Sequence, residues 1–128
     1  MYMGIVKANR IGRCEDALKA VRKAPGDITE ADLGVVSSFI TDGKVIEDDY
    51  VVGHSSRFAA WLDEQAKEHA RARDISEHLD ATLSALSNFH RWREGVDEED
   101  RSRAIAYIDA WLRFSENEPE PMVMPPSS

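Results

Sequence analysis

Residues 55–94 read SSRFAAWLDEQAKEHARARDISEHLDATLSALSNFHRWRE, and the spacing of the apolar groups in this stretch decides the fold class. Phe58, Leu62, Ala66, His69, Ala72, Ile75, Leu79, Leu83, Leu86 and Phe89 recur every three or four positions, the period of one helix face. A single helix of that length would run about 60 Å at 1.5 Å per residue, more than a compact chain of 128 residues needs. A break is therefore expected. Asp74 followed by Glu77 has capping-box spacing, which predicts two helices, 55–72 and 75–94, or one helix bent near Arg73 and Asp74. Ser55 or Ser56 supplies the first cap. Ala81, Ala85 and Trp92 form a second stripe, so the later half is expected to be buried on two sides as the central helix.

Toward the C-terminus, Gly95 ends the pattern and Asp97 caps another helix. Glu98, Glu99 and Asp100 fill its first turn, where the helix dipole favours negative charge. Ala104, Ile105, Ile108, Trp111 and Leu112 give it an apolar face that fades near Ser115. Residues 116–128 hold four prolines and three glutamates, with only Met122, Val123 and Met124 as apolar groups. They are too polar to bury a core and read as a flexible acidic tail.

Toward the N-terminus, Cys14, Leu18 and Val21 mark a helix at 12–24, and Ile11 and Ala8 continue its stripe backwards until Pro25-Gly26 stops it. Asp27 and Glu30 again have capping-box spacing, and Leu33, Val36 and Ile40 follow at helical intervals. This predicts a helix at 28–41 closed by Gly43. The alternative at 33–52 is a small β-hairpin, with β-rich arms on either side of Asp42-Gly43, a favoured turn pair. The helix is preferred because the first arm does not alternate, and Glu47, Asp48 and Asp49 would put charge on both faces of the second. The expected architecture is mainly α, about five helices in a compact bundle forming one domain over 1–115. An α+β fold is the alternative if the hairpin forms.

With 42% hydrophobic and 31% charged residues the chain has material for both a core and a solvated surface. One cysteine rules out an internal disulfide. No apolar run approaches the roughly 20 residues that cross a bilayer. Residues 1–11 are interrupted by Gly4, Lys7, Asn9 and Arg10, unlike a secretory leader, so a cytoplasmic protein is expected. The net charge of −8 is uneven: residues 1–24 carry six basic and two acidic side chains, and residues 25–50 carry one and seven. Such acidity repels nucleic-acid and lipid phosphates at long range and favours a protein partner with a basic surface.

No chemistry-bearing motif stands against this. His54, His69, His78 and His90 lack the paired helical spacing that builds a metal site; Asp74 with His78 is an isolated pair, so no metal is expected. Cys14 carries no nucleophile signature, and Gly53-His54-Ser55-Ser56 is not a nucleophile elbow. We expect neither an enzyme nor a cofactor. The helices around Pro25-Gly26-Asp27 have the outline of a helix-turn-helix, and the basic N-terminal segment could meet phosphates. Glu30 and Asp32, however, stand where base-reading residues belong, so nucleic acid is the least favoured partner.

In the pairs Phe58/Trp61, Phe89/Trp92 and Trp111/Phe114 only one ring can follow the main stripe, which leaves the other as a candidate interface anchor. The expected function is that of a small acidic helical module acting stoichiometrically on a protein partner, as a regulator, an inhibitor or a mobile-element accessory factor. Glu47, Asp48 and Asp49 are the candidate steering charges and Trp61, Trp92 and Trp111 the candidate anchors. A self-assembling structural or adaptor protein, a homodimer included, is the alternative.

Overall fold

The structure, a computed structural model, describes residues 2–43 and 54–117. These form six α-helices: α1 (Tyr2–Arg22), α2 (Glu30–Gly43), α3 (His54–Glu68), α4 (Ala70–Glu77), α5 (Leu79–Ser87) and α6 (Glu98–Asn117). Two 3₁₀ segments join them, Pro25–Asp27 before α2 and Phe89–Glu94 after α5. No strand occurs among the described residues, and the mainly α reading holds. The first arm of the alternative hairpin lies inside α2, which overturns that arm's β reading; the second arm, from Val45, lies outside the described residues.

The central helix is α6 rather than the later half of 55–94. It packs against α1, α3, α4 and α5 and buries Ala104, Ile108, Trp111 and Phe114, among others. By contrast, Ala81 of α5 is exposed. α1 packs along α6, and the small side chains Cys14 and Ala17 on α1 and Ala104 on α6 are all fully buried; small residues of this kind let two helices approach closely. Phe58 of α3 closes the other side of α6. Its ring stacks on Trp111 with centroids 3.9 Å apart and meets Tyr107 and Phe114 edge-on at 6.0 and 5.4 Å. Aromatic contacts of this kind add about 0.5–1.5 kcal/mol each beyond area burial.

The long 55–94 pattern breaks three times, and none of the breaks is at Arg73 and Asp74. His69 is extended (φ −126°, ψ 119°), and Arg73 Nε reaches back to the Ala66 carbonyl at 3.1 Å, occupying an acceptor of the last turn of α3. His78 leaves helical geometry at ψ 31°, and Thr82 Oγ1 donates to its carbonyl at 2.9 Å. At Asn88 two side chains take over carbonyls of α5: Asn88 Nδ2 bonds Ser84 O at 3.0 Å and Trp92 Nε1 bonds Ala85 O at 3.1 Å. Asp74 caps nothing; it sits within α4, where its carboxylate accepts from Arg103 Nε of α6 at 3.2 Å.

The cap expected at Asp27 stands two residues later. Pro25–Asp27 forms its own turn, with the Ile28 amide donating to Pro25 O at 3.3 Å. Thr29 then caps α2: its Oγ1 accepts from the Asp32 amide at 3.2 Å while the Thr29 amide donates to Asp32 Oδ2 at 2.8 Å. This is a capping box with Asp in place of Glu. Asp97 caps α6 as expected, accepting from the Glu99 amide at 2.8 Å. The helix continues through Glu116 and Asn117, the first two residues of the expected tail, and the rest of that tail lies outside the described residues.

Candidate interaction surface

Three arginines tie elements together, Arg93 joining the 3₁₀ segment Phe89–Glu94 to the start of α2 and the other two anchoring α6. Arg93 Nε donates to the Ile28 carbonyl at 3.1 Å, and its NH1 pairs with Glu30 at the same distance. Arg101 NH2 donates to the Arg22 carbonyl at the end of α1 (3.1 Å), a cation placed where the helix dipole favours one. Arg103 ties α6 to α4 through Asp74. Beside them Lys23 pairs with Asp32 at 2.8 Å. Burial pushes the Asp32 carboxyl up, but hydrogen bonds from Lys23 and Thr29 and the Lys23 charge outweigh this and hold it below its ordinary value.

Arg93 holds the 3₁₀ segment to the start of α2, α2 packs alongside α5, and a groove of about 530 Å³ lies between them. Leu86 and Phe89, both buried, form the floor; Leu33 and Ile40, partly buried, form the α2 wall; Gly34, Ser37 and Ser87 form the exposed lip, and the exposed Glu30 and His90 complete the lining. Gly34 leaves the lip open, since a Cβ there would meet nothing within 4 Å.

The composition of this surface has a sequence basis. Residues 33–41 and 81–90 contain no Asp, Glu, Lys or Arg and are the two longest such runs in a chain that is 31% charged. The fold sets these two runs against each other as opposite walls of one groove. Their lack of charge was legible in the sequence, but apolar periodicity, which tracks buried positions, does not register what exposed positions omit.

The residues singled out from sequence fall elsewhere. Trp92 and Trp111 are buried at 3% and 1% exposure, and so are their partners Phe89 and Phe114, so neither pair leaves a ring on the surface. Trp61 is partly buried, stacked on Phe58 at 6.0 Å and tilted against Phe114 at 5.6 Å. Glu47, Asp48 and Asp49 lie outside the described residues.

His78 Nδ1 lies 3.1 Å from Asp74 Oδ1, so this acid–imidazole pair at helical spacing does form, with its carboxylate shared with Arg103. Among the described residues, no three His, Cys, Asp or Glu side chains are grouped to hold a metal, and no helix is long and apolar enough to cross a membrane. No family model, curated protein or solved structure matches the chain.

Proposed function

We propose that the chain is a cytoplasmic interaction module that binds a protein partner stoichiometrically, as a regulator, an inhibitor or a mobile-element accessory factor. The observation that carries this reading is the charge-poor groove between α2 and α5, lined by Glu30 at one end and otherwise by apolar or small neutral side chains and His90. Exposed helix faces elsewhere in the chain are dense in charge, as at Glu15, Asp16, Lys19 and Arg22 on α1. A surface meant only for water has no reason to omit charge over two adjoining helices, whereas the cores of protein interfaces are depleted in charged residues. The acidic chain steers a basic surface toward the groove, with Glu47, Asp48 and Asp49 as steering charges and Trp61 as a secondary anchor.

The experiment is affinity capture from the host cell with the wild type and with Ser37→Arg and Ser87→Arg, two exposed positions on the groove lip. We expect one protein retained at a fixed ratio by the wild type and lost with both variants, with circular dichroism unchanged. Equal capture by all three removes the groove from the function. A wild-type chain that instead sediments as an oligomer, dissolved by these substitutions, is a self-assembling protein.

A further inference from the structure

The groove has a shape and a chemistry that say what occupies it. Resting on the interaction reading above, we infer that its occupant is an amphipathic helix whose apolar stripe is flanked by lysine or arginine.

The backbone argument comes first. An extended peptide entering an apolar groove must find partners for its own N–H and C=O groups, because leaving them unpaired and dry is costly. Strand addition supplies them from an exposed sheet edge. Here one wall is α2 and the other is the end of α5 with the 3₁₀ segment that follows it, and neither is a sheet edge. The occupant must therefore satisfy its own backbone, which a helix does.

Dimensions agree. From Leu33 to Ile40 the α2 wall advances seven residues, about 10.5 Å along its axis, which is the distance between positions i and i+7 of a facing helix. At roughly 30 Å³ per water-sized group, a groove of about 530 Å³ has room for about 18 such groups, more than the side-chain carbons of three leucines on an i, i+4, i+7 stripe require. A second copy of this chain fits poorly: a two-fold contact sets like surface against like, and two concave grooves face to face enclose a void.

Charge sets the flanks. Asp32 precedes the uncharged run on α2 and Asp42 follows it, while Asp80 precedes the run on α5; residues 25–50 as a whole carry seven acids and one base. Of the cations nearby in sequence, Arg93 is engaged with Glu30 and the Ile28 carbonyl and Lys23 with Asp32, while Arg91 follows the run on α5; the chain as a whole remains acidic at −8. Basic residues beside the stripe would meet this frame and acidic ones would be repelled.

The test uses the full chain and a dye-labelled 14-residue helical peptide with leucines at three-, four- and seven-residue spacing among lysines, followed by fluorescence anisotropy. Two further peptides replace the lysines with glutamate or place proline at the centre. Gly34→Leu fills the lip with a better helix former, so it blocks the groove without loosening the fold. We expect saturable binding of the lysine peptide, at least tenfold weaker with Gly34→Leu while the melting temperature holds or rises. The glutamate peptide should bind at least fivefold more weakly at low salt, and the proline peptide at least tenfold.

Binding that ignores both Gly34→Leu and Ser87→Arg, or no saturable binding by any peptide, overturns the inference, as does equal binding of the glutamate or proline peptide. A groove-dependent host partner whose contacting segment is extended sinks the helical occupant and leaves the interaction reading intact. Peptide binding in the groove with host capture unaffected by Ser37→Arg does the opposite.

Discussion

The Phe58 ring lies over the Trp111 indole with centroids 3.9 Å apart and planes within 14° of parallel, so the two residues join α3 to the central helix face to face. Trp111 is 1% exposed. Trp111→Ala would remove the largest fully buried side chain and strand the rings around it, at a cost of about 3–5 kcal/mol. Chemical denaturation should show this loss, with a smaller one for the partly exposed Trp61→Ala. Equal losses would mean that Phe58 does not organise the cluster around Trp111.

That contact also shows which level of the structure the sequence carried. The period through 55–94 gave the helices and their buried faces: Phe58, Leu62, Ile75, Leu86 and Phe89 are all core residues. The breaks at His69, His78 and Asn88 were hidden because the stripe keeps its spacing across them. At His69 and Asn88 a side chain from beyond the break takes a helix carbonyl, Arg73 on Ala66 and Trp92 on Ala85, and a contact seven residues long leaves no periodic trace. The groove was harder still, because it depends on which two uncharged runs the tertiary fold sets side by side. Trp92 and Trp111 already lay on apolar stripes; the expectation that one ring of each of their pairs stays exposed failed because both rings of each pair are buried, and α6 is covered from several sides.

Two glycines should respond in opposite ways to the same substitution. Gly34 sits inside α2 with open space at its Cβ position, so Gly34→Ala should stabilise the protein by about 0.5–1 kcal/mol through helix propensity. Gly95 ends the Phe89–Glu94 segment at φ 132° and ψ 155°, a region nearly closed to other residues. Gly95→Ala should cost about 1–3 kcal/mol despite equally open space around it. Thermal melts of the two variants check the pair, and a destabilised Gly34→Ala would mean that α2 is not a regular helix there.

Asp32 should give the fold a measurable acid sensitivity. Its carboxyl is held below its ordinary value of 3.8; because the folded-state value is the lower one, the stabilisation is present above pH 3.8 and is lost as the pH falls through the lowered folded value. Asp32→Asn should remove that dependence and, by weakening the cap on α2 and the Lys23 pair, cost about 1–2 kcal/mol at neutral pH. Denaturation midpoints of both proteins from pH 7 down to pH 3 should converge. Parallel curves would show that Asp32 contributes nothing through its charge.

Ser115 lies in α6 with no exposure, and its hydroxyl has no hydrogen-bond partner among the described residues. Removing a buried, unsatisfied polar group does not lose a bond and relieves a desolvation cost of about 1 kcal/mol or more. Ser115→Ala should therefore be neutral or stabilising in denaturant titrations. A loss above about 1 kcal/mol would mean that the hydroxyl is bonded in solution, for example through a buried water.

The steering charges and the groove should separate kinetically once a partner is in hand. Charges at the edge of an interface act during diffusion and mainly set the association rate, whereas groups buried at its centre mainly set dissociation. Changing Glu47, Asp48 and Asp49 to lysine should slow association about tenfold at low salt, an effect that fades as the screening length drops to about 8 Å near physiological ionic strength. Gly34→Leu should instead speed dissociation with little change in salt dependence. The acidic group at Glu98, Glu99 and Asp100 is the wrong place for this test: it fills the first turn of α6, and its members pair with Arg101 and Arg103, so reversing it would mix binding with stability. Stopped-flow association across a salt series decides the matter. If the triple lysine variant keeps its fold and associates at the wild-type rate at every salt concentration, the acidity of 47–49 serves solubility and the groove alone recognises the partner.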